Sequence, residues 1–160
     1  MDATGILNAI AVALHVLSAA VWVGGMFFAY LALRPALAEH SALARAHLWA
    51  AVFRRFFPWV WGCIAVLLIS GFYLIFGAFG GFKQTPPFVN LMLALGILMM
   101  LLFAHVYFAA YRRLRHSVEV NDETAAKKAM NQIRIIILAN LILGLIVIFV
   151  AMSGAFSLYD

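Results

Sequence analysis

Four stretches of the chain carry no Asp, Glu, Lys or Arg: Ala3–Leu33, Phe56–Phe82, Gln84–Tyr111 and Ile135–Tyr159. Each is longer than the ~20 apolar residues that cross a ~30 Å hydrocarbon layer. Backbone groups in lipid must be satisfied within the segment, and these runs are continuous rather than alternating. The pattern therefore predicts helices, not barrel strands. The spans are expected at about 6–33, 56–78, 88–111 and 135–157. The expected fold is all-α, an integral membrane four-helix antiparallel bundle occupying 1–160 as a single transmembrane domain. The run around Leu17-Ser18-Ala19-Ala20 looks like a signal-peptidase site. No positive segment precedes it, however, and the apolar stretch continues for another dozen residues. It is read as a retained helix.

Between the spans lie two polar connections, 34–55 and 112–134. Pro35–Phe53 is rich in Ala, Leu and Arg and is expected to be an interfacial helix or an extension of the second span. Asn121 or Asp122 is the expected N-cap of the segment that follows. Gly80-Gly81-Phe82-Lys83-Gln84-Thr85-Pro86-Pro87 reads as a tight turn joining the second and third spans.

Composition supports membrane residence. Hydrophobic residues make up 67% of the 160 and charged residues 11%, far from the balance of a soluble domain. The net charge of +5 is not a nucleic-acid signature, because it sits on one side. Arg34, Arg45, Arg54 and Arg55 lie in the first connection. Arg112, Arg113, Arg115, Lys127, Lys128 and Arg134 lie in the second, and only Lys83 falls on the other side. The positive-inside rule then puts both connections in the cytoplasm and both termini outside, as in a bacterial-type inner membrane. The expected partners are the lipid bilayer and a second copy of the chain, not nucleic acid. Helix 1 offers Ala9, Ala13, Ala20, Gly24 and Gly25 for close helix approach in a homodimer.

Within the spans the ionisable groups that stand out are His15 and His105, and intramembrane histidines mark candidate sites. His40, His47 and His116 sit among charged residues and read as solvated. Counting ~1.5 Å per residue from the plane of the flanking arginines, His105 lies roughly 10 Å deep and His15 roughly 28 Å deep. Met26, Cys63 and Asn140 share the level of His105. Tyr73, Met92 and Met152 share that of His15. His15, Ser18, Trp22 and Met26 form one helical stripe, continued by Asn8 and expected to face protein. Imidazole, thioether and thiol groups suit Cu(I), so His15, His105, Met26, Cys63 and Met92 are candidate metal ligands. His105 and Asn140 are expected to meet, the amide fixing the imidazole. A single cysteine excludes an intrachain disulfide. Motifs of soluble enzymes are absent, leaving oxidoreductase chemistry only if a haem is bound.

Several segments carry a family resemblance. Leu14-His15-Val16-Leu17-Ser18-Ala19-Ala20-Val21-Trp22-Val23-Gly24-Gly25-Met26, with Leu33-Arg34-Pro35, resembles the first helix of the copper-resistance protein D (CopD) family. Arg55-Phe56-Phe57-Pro58-Trp59, His105-Val106-Tyr107-Phe108, Tyr111-Arg112-Arg113-Leu114 and Asn140-Leu141-Ile142-Leu143-Gly144 extend the likeness. It implies an inner-membrane protein that binds or transports copper. A second resemblance is to HemJ-type protoporphyrinogen oxidases, through His15, Trp22, Gly25 and His105. That family has an Asn-Glu-Val-Pro-like segment where this chain reads Asn131-Gln132-Ile133-Arg134. The second likeness implies haem b held by His15 or His105, with Trp22 and Asn140 near the cofactor. A cofactor-free structural or assembly protein is the third reading.

Overall fold

The computed structural model describes residues 2–156. Four long helices account for nearly all of it: α1 Ala3–Ala36, α2 Ala42–Ala78, α3 Pro87–Glu119 and α4 Glu123–Phe156. No strand occurs among the described residues. All four helices are long and apolar enough to cross a membrane. The expected end of the fourth span, residue 157, lies outside the described residues.

Every helix outruns its charge-free core, and always toward the basic end. The connections expected at 34–55 and 112–134 are therefore mostly helix, and the true links are only 37–41 and 120–122. Pro35–Phe53 resolves into the end of α1, a short link and the first turns of α2. Physically, these extensions alternate a dry and a wet side. In the last turns of α3, Tyr111, Leu114 and Ser117 are buried while Arg112, Arg113 and Arg115 are exposed. Such a stripe holds a helix together by packing after the lipid has ended.

The ends are capped by short polar side chains. Asp2 Oδ1 accepts from the Gly5 amide at 2.9 Å, Ser41 Oγ from Ala44 at 3.3 Å and Asp122 Oδ1 from Ala125 at 2.9 Å. Each satisfies a backbone donor that the first helical turn leaves open. Asp122 is thus the N-cap of α4. Asn121 instead sits in the middle of the α3–α4 link in the left-handed region, φ 54°, which asparagine tolerates. The link 79–86 turns on Gly80 and Gly81, both at positive φ, and is tied by Thr85 Oγ1 donating to the Gly81 carbonyl at 2.8 Å.

Helix α1 lies against α2 and α4, while α3 lies against α4 and, in its basic-end half, against α2. An aromatic row fastens α2 to α3. Trp49, Phe53, Phe57 and Trp61 recur every four residues on α2, as do Phe103, Tyr107 and Tyr111 on α3. Phe57 meets Phe103 at 5.3 Å and Tyr111 at 5.0 Å, both edge to face. That geometry sets the positive rim of one ring against the negative face of the other. Large apolar side chains on the outside, such as Val16, Leu17, Ile69 and Phe149, remain exposed, as expected of a surface solvated by lipid.

Candidate functional site within the bundle

The stripe on α1 faces inward as expected. Ser18, Trp22 and Met26 are buried, and His15 is half-buried. His15 Nδ1 lies 2.8 Å from Ser70 Oγ of α2. The same hydroxyl is 2.6 Å from the Val66 carbonyl, a separation that requires the hydroxyl proton to sit between the two oxygens. A serine has one proton to give. Ser70 therefore donates to Val66 and accepts from His15, so the neutral imidazole carries its proton on Nδ1. Its Nε2 keeps a free lone pair. Gly71, the next residue on α2, makes room for the ring: a Cβ there would lie 3.3 Å from His15 Cε1.

His105 has a different setting. It lies on the exposed face of α3, and its Nε2 is 3.1 Å from Gln132 Nε2 of α4. Arg113 donates to Gln132 Oε1 at 3.2 Å, which fixes the amide so that its NH₂ points at the imidazole. His105 Nε2 thus accepts a hydrogen bond. The expected meeting of His105 with Asn140 does not occur. A helix advances about 100° per residue, so His105 points about 200° away from the buried Phe103. It turns outward just where Asn140 turns in.

Asn140 is buried, and its Nδ2 donates to the Met99 carbonyl of α3 at 3.1 Å. Its Oδ1 has no hydrogen-bond partner among the described residues. Asn140 borders an apolar cavity of about 190 Å³, together with Trp22, Gly25, Met26, Phe56 and Phe103. Met26, Cys63 and Trp22 belong to one buried core, but the inner layer expected from depth does not come together as a set, because His105 faces outward. Met92 is half-buried, while Met152 faces outward. His40, His47 and His116 are exposed.

Among the described residues, no three His, Cys, Asp or Glu side chains converge as a metal-holding group. The donors are strung along the bundle at several levels instead. Two members of these networks, Ser70 and Gln132, escaped the sequence reading. Both are ordinary polar residues in or beside a span, and intramembrane polarity was the only signal that could have raised them.

Residues 50–153, about two-thirds of the chain, match the family described as Copper resistance protein D. The matched stretch holds most of α2 and α4 and all of α3, including Cys63, Ser70, His105 and Asn140. Helix α1, with His15, precedes it. No curated protein and no solved structure matched the chain. With four membrane-length helices and this match, the chain belongs to the copper-resistance protein D (CopD) family.

Proposed function

We propose that this protein takes Cu(I) as a cargo within the bilayer, with His15 as the principal contact. The observation that carries the reading is the Ser70 hydroxyl, which pins the imidazole through Nδ1 and leaves Nε2 free. An imidazole oriented through its other nitrogen is the usual arrangement of a metal-ligating histidine. Met26 and Cys63 are the soft donors one layer toward the basic end, and Met92 is a further thioether on α3. Donors at successive levels suit an ion that is handed on, whereas a resident centre needs ligands that converge on one point. His105, already accepting from Gln132, serves as an entry or exit group at the basic end.

The test is Cu(I) binding by the purified full chain in detergent, read by competition with a chromophoric Cu(I) chelator. Wild type is expected to take copper from the chelator, and His15→Ala to lose most of that capacity. A preparation that carries a Soret band, and whose band is lost in His15→Ala, would replace the copper reading with haem b. Copper binding unchanged in His15→Ala would overturn the role of His15.

The basic connections are assigned to the cytoplasm of an inner membrane, by the ten-to-one distribution of Lys and Arg. A membrane-impermeant thiol reagent should then reach Asp2→Cys from outside in a Cys63→Ser background. A homodimer through α1 is part of the same proposal. Ala9, Ala13, Ala20 and Gly24 lie exposed along that helix, and a Cβ at Gly24 would meet nothing within 4 Å.

A further inference from the structure

At the basic end, α1, α2 and α4 enclose a second and larger cleft, of about 360 Å³. Arg34, Arg45, Lys127 and Arg134 all line it, together with Tyr30 and Trp49. Among the described residues there are two ion pairs, Arg115–Glu119 and Lys127–Glu123. Arg34, Arg45 and Arg134 therefore converge with no carboxylate partner. Two of the three are held in place by neutral neighbours. The Arg34 guanidinium lies over the Tyr30 ring at 5.2 Å, and Arg45 Nη1 donates to the Ala38 carbonyl at 3.1 Å. Each guanidinium has five N–H donors, so most remain available. Like charges gathered in a concave, partly apolar site repel one another, and an anion relieves that repulsion while accepting the free donors.

The cleft does not end in polar wall. Ala29, Phe53 and Ile137 line it and also line the apolar cavity beside Asn140. The two spaces are thus neighbours across three apolar side chains, one cationic and one dry. A free inorganic anion would use only the first. A molecule with an anionic head and an apolar body matches both. Arg34 and Arg134 also border the charge-free runs, which places the cationic mouth at headgroup depth. Basic pockets between membrane helices at that depth are suited to acidic lipid headgroups.

We propose that this cleft binds an anionic phospholipid, its phosphate among Arg34, Arg45 and Arg134 and an acyl chain directed toward the apolar cavity. The site is separate from the His15 contact, and its test does not involve copper.

Purified full-length protein is titrated in a neutral detergent with phosphatidylglycerol, phosphatidylcholine and inorganic phosphate, and bound lipid is counted by native mass spectrometry. Phosphatidylglycerol is expected to bind, and phosphatidylcholine to bind far more weakly. Inorganic phosphate is expected to displace phosphatidylglycerol only at much higher concentration. At about 1 kcal/mol per cation, an Arg45→Gln/Arg134→Gln double variant should bind phosphatidylglycerol about thirtyfold more weakly. Arg54→Gln/Arg112→Gln removes the same charge outside the cleft and should bind as wild type. Arg45→Lys/Arg134→Lys should recover most of the affinity. If the glutamine double variant does not fold, Arg134→Gln alone, at an exposed position, should show about a fivefold loss. Equal weakening by the two glutamine pairs would overturn the site in favour of general surface charge. Phosphate binding as tightly as the lipid would overturn the lipid assignment, and equal binding of phosphatidylcholine would overturn the anionic one.

Discussion

His15 Nδ1 sits 2.8 Å from Ser70 Oγ, across 55 positions of sequence. The serine hydroxyl is already committed to its own helix, at the Val66 carbonyl. That prior commitment gives the pair a direction: the imidazole is the donor and the serine the acceptor. A polar contact that would otherwise be interhelical glue thereby also sets a tautomer.

Ser70→Ala should therefore separate orientation from ligation. The ring stays but loses its anchor, so Cu(I) affinity is expected to fall about tenfold, the lower range for loss of a partner behind a metal ligand. The cost in stability should be only about 0.6 kcal/mol, typical of one hydrogen bond between membrane helices. His105→Ala should leave Cu(I) affinity closer to wild type than either His15→Ala or Ser70→Ala does. Chelator competition and thermal unfolding in detergent, run on the same preparations, check all three variants.

Asn140 offers a test of what a buried amide costs. Asn140→Leu removes the bond to Met99 and, with it, the unpartnered Oδ1. Because the loss and the relief oppose each other, thermal stability should change by no more than about 1 kcal/mol. Asn140→Asp keeps the shape but brings a charge to a dry place, with a cost of at least about 2.5 kcal/mol. A leucine variant as damaging as the aspartate would show that the amide has a partner of consequence.

Glycines divide sharply by what surrounds them. A Cβ on Gly144 of α4 would stand 2.7 Å from Val23 Cγ2 and 3.2 Å from Met99 Cε. Valine is stiff at χ1 and cannot swing aside, so Gly144→Ala should destabilise the bundle by about 1–3 kcal/mol. Gly24→Ala and Gly96→Ala meet nothing within 4 Å and should be tolerated. Thermal unfolding of the three single variants in detergent measures the contrast.

If α1 forms the proposed dimer contact, Ala13→Cys and Ala20→Cys in a Cys63→Ser background should crosslink in native membranes under mild oxidation. Monomer at both positions, with a monomeric mass in gentle detergent, would remove the dimer. Gly24→Leu gives a second view: close helix approach depends on small residues, so it should weaken crosslinking while leaving the folded monomer intact.

Much of this protein was written linearly. Long charge-free runs determine four membrane helices, because lipid leaves the backbone no other way to satisfy its polar groups. The Gly-Pro link and the clustered arginines were equally legible, and so was the family, which the match over residues 50–153 shows. The inward stripe of His15, Ser18, Trp22 and Met26 could be read from helical spacing alone. Direction was not legible elsewhere. In lipid the outer face of a helix is as apolar as the inner one, so hydrophobic periodicity does not say which way a lone polar residue points. Depth put His105 and Asn140 on one level, and rotation then separated them. Tertiary packing alone chose Ser70 for His15, Gln132 for His105 and the Met99 carbonyl for Asn140. It also folded the first connection back so that Arg45 joins Arg34 and Arg134 around one cleft. Those pairings depend on rotation and proximity between distant segments, and both are fixed only when the four helices pack.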